Sequence, residues 1–138
     1  VAAFKTAAGA KDDEALLRAA EQVHKDYEGL VKVTAPPMKE MEDFHASLYV
    51  LYHDAMRGND GARIIESVRA LKPKMDAFNA AALPERYMAK QEAFIAQRLR
   101  LTQAVDEAIA AATPGNASKL LEAVERLHIE YEKLDKLF

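Results

Sequence analysis

Leu16-Leu17-Arg18-Ala19-Ala20-Glu21-Gln22-Val23-His24-Lys25-Asp26-Tyr27-Glu28-Gly29-Leu30 lies over Leu120-Leu121-Glu122-Ala123-Val124-Glu125-Arg126-Leu127-His128-Ile129-Glu130-Tyr131-Glu132-Lys133-Leu134 without a gap, and eight of the fifteen positions are identical. In both stretches the apolar residues recur three and four apart, the period of one face of an α-helix. A third copy, residues 64–78, keeps the apolar positions but has Lys72 and Met75 where the others have His and Tyr. A helix with one apolar face cannot bury that face alone, so repeated copies are expected to pack on one another.

Working outward from the repeat, the helical period predicts five helices, over about residues 13–32, 38–56, 62–81, 84–112 and from the turn at 113–116 to 137. Thr34-Ala35-Pro36-Pro37, Arg57-Gly58-Asn59-Asp60 and Thr113-Pro114-Gly115-Asn116 supply the breaks. Asp60 is placed to cap the third helix, and Pro84 suits the first turn of the fourth. Pro73 falls inside the third helix and predicts an irregularity there. No segment alternates like a strand.

Glu42-x-Phe44-x-Ala46 in the second helix echoes Glu92-x-Phe94-x-Ala96 in the fourth, so the second–third and fourth–fifth pairs read as copies of one hairpin. Short connections make successive helices antiparallel neighbours. The expected fold is therefore all-α: an antiparallel up-down bundle of four to five long helices, built from repeated helical hairpins in one domain over residues 1–138. Residues 1–8 read as the tail of a further helix, or else residues 1–10 as a frayed leader.

The pattern Glu40-Met41-x-Asp43-Phe44, followed by a helical pair with Asn59-Asp60-Gly61 between its helices, resembles the second half of cytochrome b562. The resemblance implies a four-helix bundle akin to the cytochromes c', with non-covalent haem held by a methionine near the start and a histidine near the end. No histidine of this chain matches at the corresponding place.

Composition removes several classes. There is no cysteine among the 138 residues, which excludes disulfides, thiol catalysis, Cys-based zinc sites and covalent c-type haem. A net charge of −3 with interleaved signs argues against a nucleic-acid partner. No apolar run approaches the roughly 20 residues of a transmembrane helix. Because the chain begins at Val1, a processed protein in the periplasm or secreted is expected, with the cytoplasm as the alternative.

Candidate site residues come from polar groups on apolar stripes. His24 and His45 lie at similar distances from the turn at 35–36, about 3 Å apart in rise, and Met41 is one turn from His45. A His–His–Met cluster suits copper, with zinc as the other candidate. His53 falls about 120° from the stripe of the second helix and is expected to be exposed. The doubled Glu-x-x-His invites a di-iron reading, but Glu21 and Glu125 fall away from the stripe. On the fourth helix the stripe reads Tyr87, Gln91, Phe94, Arg98, Leu101, Val105, Ile109 and Ala112. Arg98 must then snorkel, pair with a carboxylate, or face a cavity holding an anion, with Tyr49 and Tyr131 near its level as co-ligands. No motif of an enzyme is present. The expected function is a non-enzymatic bundle binding a metal ion or small ligand. The alternatives are a ligand-free interaction module, as a homodimer or with a protein partner, and a b-type haem protein.

Overall fold

A computed structural model describes residues 13–34, 38–55 and 60–138. The readings of residues 1–10, the break at 35–37 and the turn at 57–59 with Met56 lie outside the described residues. The chain divides into two compact units, Val1–Pro37 and Met38–Phe138. Every element among the described residues is helical, with no strand.

In the first unit, α1 (Asp13–Thr34) is one amphipathic helix. Gln22 Nε2 donates to Asp26 Oδ1 at 2.8 Å, a pair four residues apart on its polar surface. The second unit has α2 (Lys39–Tyr49), which continues as a π-helical turn, Val50–Ala55. It is followed by α3 (Gly61–Ala80), a 3-10 segment Glu85–Lys90, α4 (Gln91–Ala111) and α5 (Ala117–Asp135). Asp60 caps α3, its Oδ1 accepting from the N–H groups of Ala62 and Arg63 at 3.1 and 3.2 Å. Gly115 turns the chain from α4 into α5 at φ 84°, a left-handed conformation open to glycine at little cost.

α3 packs on α2 and α4, and α4 packs most extensively on α5. One continuous core fills the second unit, with Phe44, Leu48, Leu51, Leu71, Phe78, Phe94, Leu101 and Leu127 all at 0–1% exposure. The buried residues of α3 are Ile64, Val68, Leu71, Met75 and Phe78; those of α5 are Leu120, Val124, Leu127, Tyr131 and Leu134. These are the residues that the sequence overlay places on one another.

The expectation that the first and fifth helices are alike in exposure fails. Tyr131 is 5% exposed, whereas Tyr27 is 65% and Leu30 63% exposed. Pattern sets which face of a helix is apolar; burial depends on what covers it, and α5 has α4 against its stripe.

Three local expectations are also corrected. α3 runs through Pro73 as one helix. Pro73 stands on the exposed side, where water can take the carbonyl its ring leaves unbonded. His53 is half-buried rather than exposed, because the π-helical turn, with its i→i+5 bonding, advances less per residue than the α-helix assumed from sequence. On α4 the expected stripe holds at Phe94, Leu101 and Val105, and at Tyr87 and Ala112 beside it, but Gln91 is exposed, Arg98 and Ile109 are half-buried, and Gln97, Ala104 and Ala108 are buried instead.

Candidate functional site

Two places in the second unit are candidates for a site. The first is a seam of rings joining α2 to α5. His45 stacks on Tyr131 with centroids 4.6 Å apart, and Phe44 lies 6.1 Å from the same tyrosine. About two turns further along α2, Tyr52 stacks on His128 at 4.1 Å, with His53 against its edge at 5.5 Å. Tyr49 packs on His53 at 4.3 Å. Tyr52 Oη donates to Glu125 Oε2 at 2.9 Å. Burial, and then that carboxylate, push the Tyr52 phenol above its ordinary value. The π-helical turn is what aims Tyr52 and His53 at this seam.

Among the described residues no three His, Asp or Glu side chains converge as ligands. Of the residues read as copper or zinc ligands, Met41 is 1% exposed within the core and His45 sits beside Tyr131. His24 belongs to α1, in the first unit.

The second place is a cleft of about 290 Å³ between the end of α3 and α4, lined by Ala81, Leu83, Met88, Gln91, Phe94, Ile95 and Arg98. Arg98 is its charged member. Nη1 donates to the carbonyls of Phe78 at 3.2 Å and Ala81 at 3.0 Å, so it closes the C-terminus of α3, where carbonyls lack helical partners. The guanidinium carbon lies 4.9 Å from the Phe94 ring centroid and 5.9 Å from that of Phe78. Burial pulls the Arg98 pKa down, with no carboxylate opposing it. Among the described residues its Nε and Nη2 donate no hydrogen bond. Arg98 thus reaches α3, while Tyr131 lies against α2.

A larger cleft, about 480 Å³, opens between the start of α3 and the α4–α5 turn. Its lining, including Ile64, Ile65, Pro114, Leu120 and Leu121, carries no charged group to orient a ligand.

Sequence reasoning missed Gln97, 8% exposed. Its Nε2 donates to the Glu130 carbonyl at 3.0 Å and to Glu130 Oε2 at 2.7 Å, and Lys133 Nζ lies 2.6 Å from Glu130 Oε1. The network clamps α4 to α5. Its signal was available: Gln97 falls three residues after Phe94 and four before Leu101, on the true stripe.

No protein-family profile matches this chain, and neither a curated protein nor a solved structure matches it. No helix among the described residues is long and apolar enough to cross a membrane.

Proposed function

We propose that this chain is a non-catalytic helical bundle, antiparallel and up-down and grown from duplicated hairpins, that binds a small anionic ligand beside Arg98. The observation that carries the reading is a guanidinium fixed through Nη1 whose Nε–Nη2 edge, among the described residues, donates no hydrogen bond next to an apolar cleft. A pocket that is mostly apolar, with one placed polar group, is the usual form of a small-molecule site. A periplasmic or secreted location is proposed with this reading, with the cytoplasm as the alternative.

The test is a nitrogen-15 NMR titration with a panel of small anions, following the Arg98 Nε–H and the amides of residues 81–83 and 95. Shifts concentrated there support the reading. Shifts absent or spread evenly over the surface count against it.

A second reading, the ligand-free interaction module working as a homodimer or with a protein partner, is favoured by the exposed apolar side chains of α1, with Leu17 57% and Leu30 63% exposed. A monomer at high concentration in analytical ultracentrifugation would remove its homodimer form. A copper or zinc ion held by His24, His45 and Met41 is a separate proposal. Uptake lost in His45→Ala but kept in His53→Ala is its test.

A further inference from the structure

The Arg98 cleft restricts what kind of anion it can take, an inference that rests on the reading above. We infer that the ligand is an amphiphilic monocarboxylate of roughly ten non-hydrogen atoms, its carboxylate on the Nε–Nη2 edge of Arg98 and its hydrocarbon body against Leu83, Met88, Phe94 and Ile95.

Four observations support this class. First, the free edge of the guanidinium presents parallel N–H donors, the fork that matches one carboxylate in a bidentate pair. Second, Arg98 is the sole charged residue lining the cleft among the described residues. A phosphate or dicarboxylate would bring charge that nothing there neutralises, and burying it uncompensated is unfavourable. Third, the cleft holds about 290 Å³, and at about 30 Å³ per water-sized group this is room for roughly ten non-hydrogen atoms. Fourth, Met88 and Ile95 remain 46% and 49% exposed beside it, apolar surface that a hydrocarbon body would remove from water.

Preorganisation adds to the case. The carbonyls of Phe78 and Ala81 and the Phe94 ring already hold the guanidinium, so binding need not order a long side chain. The hairpin overlay places Arg98 on Leu48, which is 1% exposed in the core. A charge thus stands where the matching helix has a packed leucine, and at that point the cleft exists.

The experiment compares four probes on the full chain by calorimetric titration and thermal shift: sodium octanoate, octanamide, sodium octanedioate and inorganic phosphate. Octanoate is expected to bind at least tenfold more tightly than each of the others. Because Arg98 closes α3, Arg98→Met can weaken the fold, so Ile95→Glu serves as the second variant. It puts a carboxylate at an exposed lip position next to Arg98 and is expected to weaken octanoate at least tenfold without lowering the melting temperature of the free protein. Octanedioate or phosphate binding as tightly as octanoate, and weakened by Ile95→Glu, would overturn the monocarboxylate class while leaving the anion site standing. Octanoate and octanamide binding equally, or octanoate unaffected by both variants, would overturn the site itself.

Discussion

At the scale of single residues, buried polar atoms decide the energetics. The Tyr87 hydroxyl is buried without a hydrogen-bond partner among the described residues, while its ring packs edge-on to Phe138 at 4.6 Å. An unsatisfied buried hydroxyl costs about 1–3 kcal/mol. Tyr87→Phe keeps the ring and is expected to raise stability by about 1 kcal/mol, seen as a melting temperature a few degrees higher; a lower one would reveal a partner for the hydroxyl. Glu130 gives a pH-dependent case. The hydrogen bond from Lys133 and then that from Gln97 hold its carboxyl below the ordinary value of 4.5. A carboxyl depressed in the folded state stabilises above its unfolded pKa and loses that contribution as pH falls through the folded value. Glu130→Gln is therefore expected to be less stable than the parent by on the order of 1 kcal/mol at pH 7. The gap should close as pH falls below the ordinary carboxylate value and through the lower folded one, as chemical denaturation at a series of pH values would show. A gap independent of pH would mean that packing, and not charge, is what the substitution removes.

At the scale of elements, departures from the ideal α-helix matter most. The π-helical turn Val50–Ala55 turns His53 to the ring seam, and α4 is preceded by a 3-10 segment, Glu85–Lys90, where one continuous helix was expected. Neither has a sequence signature comparable to the apolar period, because both keep helical composition and differ only in bonding pattern. Pro73 shows the converse. Its ring argues for a break, yet α3 continues through it on the exposed side. Since proline in a helix interior is about 3 kcal/mol less favourable than alanine, Pro73→Ala is expected to stabilise the second unit by about 2 kcal/mol. Denaturant midpoints with an unchanged slope would establish this, and no gain would mean that α3 needs the proline's geometry.

At the scale of the whole molecule, the core cluster of Met38–Phe138 contains no residue of α1. Residues 38–138 produced alone are expected to melt in one cooperative transition with a strong helical circular-dichroism signal. A broad transition, or none, would show that this core is insufficient by itself. The amino-acid order alone was enough for the all-helical class, for most helix limits, for the Asp60 cap and for the apolar face of α3 and α5, because each follows from local spacing and local hydrogen bonding. It marked Arg98 as anomalous but could not find its partners. Those are main-chain carbonyls of Phe78 and Ala81, atoms that every residue possesses and that become acceptors only where α3 ends beside α4. Likewise Tyr27 and Tyr131 are the same residue in the same repeat, one 65% and the other 5% exposed. Periodicity determines which side of a helix avoids water; only tertiary packing decides whether another helix is there to cover it.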